Sequence, residues 1–226
     1  MQNLANARIS NRKSGAGGIT VVEKANYEEI NKKYWSSRAV SYDRGFSFLR
    51  YFQKKAIQLA NPQGDFKLLD IGCGPGHALI YAANIDKEGK FDGIDLSPNM
   101  LEIARKAATG LTNVQFYEAS AEKLPFDADF FDAAICTNSF HHHGNPLQTL
   151  KEANRVLKPK GRIYIIDPTS DGFFMRILDK ISRKLESGHV KMYSTKEYEA
   201  MFTQVGFRYV MSKSILSAEK AHIGEK

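Results

Sequence analysis

Apolar positions along this chain follow two periods. Runs such as Leu68-Leu69-Asp70-Ile71 and Phe131-Asp132-Ala133-Ala134-Ile135-Cys136 are apolar at nearly every position, the pattern of short strands covered on both faces. Elsewhere apolar side chains recur every three to four residues, the pattern of helices with one buried side. Residues 27–60 read as helical, with Phe48, Leu49, Phe52 and Ile57 at helical spacing, until Asn61-Pro62-Gln63-Gly64 breaks the pattern. Strands are predicted over 67–71, 91–95, 114–118, 130–136 and 161–166. Helices are predicted over 77–84, from Pro98 to a stop at Gly110, and over 146–157. Ser97 before Pro98 is a strong helix start, because serine caps the first turn and proline presets its φ. Alternation of strands and helices with short connections implies a parallel sheet with helices on both faces.

Past Pro168 the pattern changes. An amphipathic helix is predicted over 173–185, and a second starts at Ser194, with Glu197 completing a capping box. A strand over 206–211 and a last strand ending near His222-Ile223 bring the total to seven. The chain thus divides into a tail over 1–25, a helical cap over 26–64 and one main domain over 65–226, with 169–192 as an insertion.

Composition narrows the class. At 226 residues, 42% apolar and 25% charged, the chain is long enough to bury a full core. No apolar run approaches the ~20 residues of a membrane span. Cys73 and Cys136 lie far apart without metal-ligand spacing, which fits free thiols in a reducing, cytoplasmic compartment. The net charge is +7, yet the basic residues are scattered, with short clusters at Arg12-Lys13, Lys54-Lys55 and Lys158-Pro159-Lys160. No aromatic-interleaved basic stripe is present, so a nucleic-acid partner is not expected. The first twenty residues carry Arg8, Arg12 and Lys13 and no acid. They lack the apolar core of a secretory signal and are expected to be a disordered tail. Nothing in the sequence selects between a monomer and a homodimer.

The chemistry concentrates in Leu68-Leu69-Asp70-Ile71-Gly72-Cys73-Gly74-Pro75-Gly76. A strand runs into three alternating glycines, which allow a sharp turn and let a ligand approach the main chain. The helix that follows points free N–H groups at that ligand. Asp95 stands about 20 residues further on, at the end of the second strand, where an acid accepts both hydroxyls of a ribose. Together these read as a cradle for a nucleotide-type cofactor, and up to this point NAD fits as well.

Two later segments change the balance: Ala119-Ser120-Ala121-Glu122-Lys123-Leu124-Pro125-Phe126 and Arg155-Val156-Leu157-Lys158-Pro159-Lys160-Gly161-Arg162. With the glycine loop and Asp95 they resemble the class I S-adenosylmethionine (SAM)-dependent methyltransferases. Tyr193-Ser194-Thr195-Lys196-Glu197-Tyr198 and the Tyr34-Trp35 and Ala39–Asp43 stretches resemble the small-molecule branch that includes ubiquinone and menaquinone methyltransferases. Two positions depart from the pattern: Ser120 stands where an aspartate is common, and Lys160 where a glycine is common. The resemblance implies a Rossmann-like, doubly wound α/β fold with a seven-stranded, mostly parallel sheet and a final antiparallel strand. It implies SAM as cofactor, a small-molecule acceptor, and S-adenosylhomocysteine as product. Asp70, Gly72, Cys73, Gly74 and Gly76 would surround the methionyl part, and Asp95 the ribose. Leu96 and Met100 would flank the adenine, with Ser120, Ala121 and Glu122 at its edge. Thr137 would end the fourth strand beside the reactive methyl, and Tyr42 would pack over the cofactor.

A general base is needed only where the acceptor must lose a proton. His141-His142-His143 follows the fourth strand, and His141 is the candidate base. No metal is expected there, because no carboxylate or cysteine has suitable spacing. The thiols of Cys73 and Cys136 read as core filling rather than nucleophiles. The Asn/Asp-Pro-Pro-aromatic tetrapeptide of amino-directed nucleic-acid methyltransferases is absent, since Thr137-Asn138-Ser139-Phe140 stands at that place. Residues 169–192 are expected to cover the acceptor, with Phe173, Phe174, Met175, Ile177, Leu178 and Ile181 lining an apolar pocket. An NAD-dependent oxidoreductase, an RNA or protein methyltransferase and a non-catalytic SAM-binding protein are the competing readings.

Overall fold

The computed structural model describes residues 21–45, 47–216 and 218–226, with the backbone alone for 21–26, 40 and 42–45. Seven helices and seven strands follow in the order α1 (Val21–Gly45), α2 (Leu49–Ala60), β1 (Lys67–Ile71), α3 (His77–Ile85), β2 (Lys90–Asp95), α4 (Pro98–Ala107), β3 (Val114–Glu118) and β4 (Phe131–Thr137). Then come a 3₁₀ turn (Phe140–His142), α5 (Pro146–Val156), β5 (Leu157–Pro168), α6 (Phe173–Leu185), α7 (Thr195–Gln204), β6 (Arg208–Leu216) and β7 (Glu219–Glu225). The expected tail over 1–20 lies outside the described residues, and α1 begins before the expected boundary at 25.

One sheet holds every strand, in the order β3-β2-β1-β4-β5-β7-β6. β1 to β5 pair in parallel, whereas β7 runs antiparallel between β5 and β6. The strand order reverses between β1 and β4. Ligands of open α/β sheets bind in the crevice outside the carboxyl ends of the strands at such a point.

Side chains alternate across the sheet with period two. Leu68, Ala133 and Ile135 point to the face covered by α2, α3 and α4, where Ile57, Leu79 and Leu101 are buried. Leu69, Ile71, Ala134 and Cys136 point to the other face, under α5 and α7, with Leu150, Tyr198 and Phe202.

Local signals fix the element ends. Asn61 closes α2 in the left-handed conformation. Ser97 caps α4 by accepting from Met100 N, with Pro98 following. The Ser194–Glu197 box at α7 is reciprocal, each side chain bonding the other residue's backbone N–H. The predicted break after 157 differs from what is found: β5 starts at Leu157 and passes through the turn at Lys160, whose φ of 68° is left-handed. Glycine is common at this position in the resembled family because that conformation strains any other residue. β6 and β7 also run longer than their weak sequence patterns suggested, since each pairs with a neighbour along its length.

Candidate functional site

A cleft lies over the carboxyl ends of β1, β2 and β4, with about 870 Å³ of empty space counted out to its mouth. Gly72, Cys73, Gly74, Asp95, Leu96, Met100, Ser120, Ala121, Glu122 and Thr137 all line it. Segments far apart in sequence thus meet because each follows a strand of one sheet.

The glycine loop is shaped as its composition demands. Gly72, Gly74 and Gly76 have φ of 76°, 51° and 78°, in the region that L side chains rarely adopt. A Cβ on Gly74 would meet nothing within 4 Å, so this residue opens onto the cleft. A Cβ on Gly76 would stand 2.6 Å from Phe116 of β3. Gly76 therefore serves close packing of α3 on the sheet and does not line the cleft, unlike the ligand contact expected of it.

Asp95 holds this loop in place. Its two carboxylate oxygens accept from Gly74 N at 2.9 Å and from Ser97 N at 2.8 Å. The same residue therefore fixes the turn and presents its remaining lone pairs to the cleft. Asp70, expected at the cofactor, sits behind the loop and does not itself line the cleft; it is 1% exposed, with Oδ1 buried and without a hydrogen-bond partner among the described residues. Burial and the nearby Asp95 push its carboxyl up to about 8. A buried carboxylate oxygen without a partner is costly, and a cation would relieve it. Cys73 is buried and its thiol is pushed well above the ordinary value, first by burial and then by Asp95 and Asp70. It packs against Gly93, where a Cβ would lie 2.9 Å from Sγ. Both cysteines are buried and free.

Ser120 bonds across to α1, donating from Oγ to Glu28 Oε1 and accepting from Glu122 N at 3.1 Å. That makes Glu28 a cleft residue the sequence reading missed. Tyr27, Asn31 and Trp35 of α1 line the cleft too. Tyr27 Oη lies 2.7 Å from the carbonyls of both His142 and Gly188, its one proton shared between them. Asn31 Nδ2 donates to His142 O at 2.9 Å, and Trp35 meets the His142 ring edge-on at 4.9 Å. Spacing of four between Tyr27, Asn31 and Trp35 was the available signal, a single helical stripe of aromatic and amide side chains. Tyr42 lies within α1, but its side chain is outside the described residues.

The three histidines separate into different roles. His142 and His143 line the cleft, whereas His141 does not. His141 turns to Asp167 on β5: its Nδ1 lies 2.9 Å from Oδ1, and its backbone N donates to Oδ2 at 2.9 Å. Burial works against a charge on this imidazole, and contact with the Asp167 carboxylate overcomes it, so the His141 pKa lies above the ordinary histidine value. Burial and the neighbouring His141 push His142 well down, and push His143 down to about 4. His189, from the segment after α6, joins them. One nitrogen from each of His141, His142 and His189 lies within 4.8 Å of the others, which makes this group the candidate for a metal ion among the described residues. No spacing along the chain marks this group, because His189 stands 46 residues beyond His143 and joins it only through the fold. Each ring has one nitrogen engaged, by Asp167, Gly188 O and Asp179 respectively.

The apolar residues of α6 depart most from expectation. None lines the cleft, and Phe173, Phe174 and Leu185 are exposed by 71%, 83% and 82%. The part of the insertion that approaches the site is the following loop, through Gly188 and His189.

The switch-point cleft, the left-handed glycine loop and the paired acids define a nucleotide-cofactor site on a Rossmann-like fold, and the relatives make the class a SAM-dependent methyltransferase. Residues 62–213 match the methyltransferase domain family, and the chain belongs to that family. The uncharacterized methyltransferase YcgJ of Bacillus subtilis is 32% identical over 152 residues, 65% of this chain and 59% of that protein. Its crystal structure aligns with a TM-score of 0.66, covering 72% of this chain and 70% of that one at 28% identity. The demethylmenaquinone methyltransferase of Staphylococcus aureus is 26% identical over 230 residues, 90% of this chain and 95% of the other. A SAM-dependent methyltransferase from Aquifex aeolicus shares the fold, with a TM-score of 0.69 and 22% identity over 84% of this chain and 97% of that one.

The residues present fit SAM. Gly74 leaves open space where a Cβ would stand, Asp70 Oδ1 is an orphaned acceptor suited to an ammonium group, and Asp95 faces the cleft as a ribose acceptor would.

Proposed function

We propose that this chain methylates an oxygen, or an activated ring carbon, of a small aromatic acceptor such as a hydroquinone. SAM supplies a methyl group already activated by its sulfonium. Asp70, the glycine loop and Asp95 hold the cofactor, with Leu96 and Met100 against its adenine and Ser120, Ala121 and Glu122 at the adenine edge. Thr137, the last residue of β4, and Asn138 after it lie beside the reacting centre. The acceptor lies against Tyr27, Trp35 and His142, where two aromatic rings and a neutral imidazole suit a flat, largely apolar ring. Holding two reactants in line supplies much of the rate without covalent participation by the protein.

The carrying observation is the His141–Asp167 pair. Asp167 orients the imidazole through Nδ1 and raises its basicity, leaving Nε2 as the end point for a proton relayed from the acceptor. His142 lines the cleft and His141 does not; the two rings are tilted against each other with centroids 3.9 Å apart, so the acceptor proton reaches His141 by way of His142. The alignment with demethylmenaquinone methyltransferase over nearly both full lengths supports the acceptor class.

The test combines calorimetric titration with SAM and S-adenosylhomocysteine and turnover on hydroquinone acceptors. Asp95→Ala is expected to abolish measurable SAM binding. His141→Ala should lower turnover about 10²–10⁴-fold, the range of acid–base contributions, with SAM affinity intact. The kcat of the unaltered chain should rise with pH through an inflection above the ordinary histidine value, and Asp167→Asn should move that inflection down. Loss of SAM affinity in His141→Ala would sink the base assignment. Chelator treatment should leave turnover unchanged; loss restored by zinc would assign the histidine cluster to a metal instead.

A further inference from the structure

Helix α6 is built inside out. On a wheel of about 100° per residue, Phe173, Phe174, Ile177, Leu178, Ile181 and Leu185 fall within an arc of about 140°, and all six are exposed. The opposite side carries Asp179, Arg176 and Arg183, with Met175 as its one large apolar residue. Asp179 is 4% exposed there and accepts from His189 Nε2 at 2.9 Å and Met192 N at 2.7 Å, and also from Arg183. Burial opposes its charge, but these three donors hold the Asp179 carboxyl below the usual range. The helix is thus anchored by an ionised side chain and turns its apolar face to the outside. Six exposed large apolar residues on 13 positions form a contiguous patch, which mature surfaces of soluble domains rarely carry without a partner.

The charges around the patch say what covers it. Lys180 falls about 20° outside one edge of the apolar arc and Lys184 about 20° inside it, and neither makes an ion pair or hydrogen bond among the described residues. The other two basic residues are occupied, Arg176 by the carbonyls of Ser170 and Asp171 and Arg183 by Asp179. The only acid on α6, Asp179, is buried. An apolar stripe edged by free lysines, on a chain of net charge +7, matches the design of a helix that lies in a bilayer interface. A second copy of α6 would bring like charges together. The first twenty residues carry three basic residues and no acid, so like charge argues against them as the cover.

We propose that α6 seats this enzyme on an anionic bilayer surface, with its apolar face in the headgroup–acyl boundary and Lys180 and Lys184 on the phosphates. This extends the acceptor reading above, since it implies that the aromatic acceptor carries a lipid tail and enters from the membrane. The contact path is short: Asp179 holds His189, whose ring lies 5.3 Å from His141 and 6.2 Å from the cleft-lining His142. No helix among the described residues is long and apolar enough to cross a membrane, and an interfacial helix needs none.

The full chain is sedimented with vesicles of equimolar phosphatidylglycerol and phosphatidylcholine, and with phosphatidylcholine alone. Binding is expected to the anionic vesicles and to weaken with added salt. Lys180→Glu should weaken partition by about fivefold or more, the worth of one surface charge. Phe174→Ser with Leu178→Ser should reduce it by about tenfold or more. Both changes lie on exposed positions, so far-UV circular dichroism and SAM titration should be unaltered. Failure to sediment with anionic vesicles overturns the proposal, as does equal binding by the serine variant. A dimer in solution that the same serine variant dissociates also overturns it, by assigning the face to a second copy. Vesicle binding together with turnover only on water-soluble acceptors would sink the acceptor reading while leaving the docking surface standing.

Discussion

Asp70 is the residue whose energetics reveal most. Its carboxyl is pushed up to about 8 by burial and by Asp95, far above the 3.8 of the free side chain. The folded state therefore keeps a proton that the unfolded chain has already lost. From about pH 4 to about pH 8 the unfolded state binds fewer protons, so this group lowers the stability of the ligand-free protein as pH rises. A cationic ligand reverses the sign by stabilising the carboxylate. Asp70→Asn should leave the ligand-free protein as stable or more stable at pH 8, while weakening SAM binding about 10–100-fold, the worth of one or two charge-assisted hydrogen bonds. Thermal melts at pH 6 and pH 8, with and without SAM, check this. A variant that melts lower in both conditions and binds SAM normally would show that Asp70 is only a packing residue. The same titration should release close to one proton per SAM bound near neutral pH, read from the buffer dependence of the calorimetric heat.

At the scale of elements, α1, the 3₁₀ turn and the loop after α6 behave as one roof. Tyr27 and Asn31 tie α1 to His142 and Gly188, His142 Nδ1 donates to Gly188 O at 2.7 Å, and Val190 N donates to His141 O at 2.9 Å. Tyr27→Phe removes the hydroxyl that two carbonyls share. Leaving buried carbonyls unpaired costs about 1–3 kcal/mol. Hydrogen exchange is expected to speed up in α1 and in residues 186–192 together, because the bond joins them. Faster exchange in α1 alone would mean that the roof is not cooperative. A second effect belongs here: Gly76→Ala places a Cβ 2.6 Å from Phe116 at a φ of 78°. Strain of about 1–3 kcal/mol is expected from the conformation alone, seen as a lower midpoint in urea without any change in the residues lining the cleft.

For the molecule as a whole, a cofactor bound as proposed across the loops after β1, β2, β3 and β4 would stabilise all of them by mass action, about 2.7 kcal/mol at a hundredfold excess over Kd. SAM and S-adenosylhomocysteine should each raise the melting temperature, and NAD should not. Protection by NAD instead would return the cradle to the dinucleotide reading. The net charge of +7 is not concentrated in the cleft: among the described residues its lining holds one lysine or arginine, Lys32, and that pairs with Glu118.

Much of this was legible in the order of residues. Alternating strand and helix periods identified the parallel sheet, and Ser97-Pro98 and Ser194–Glu197 marked helix starts, because these signals act within a few residues. The glycine loop and Asp95 were legible because a tight turn and a strand-end acid are local requirements of the cradle. What only the tertiary structure decided depends on distance through space. It turned His141 away from the cleft to Asp167, brought His189 beside it, and laid Tyr27, Asn31 and Trp35 over the site. It also reversed the reading of α6: periodicity reports that a helix has an apolar face, and only the buried Asp179 determines that this face looks outward.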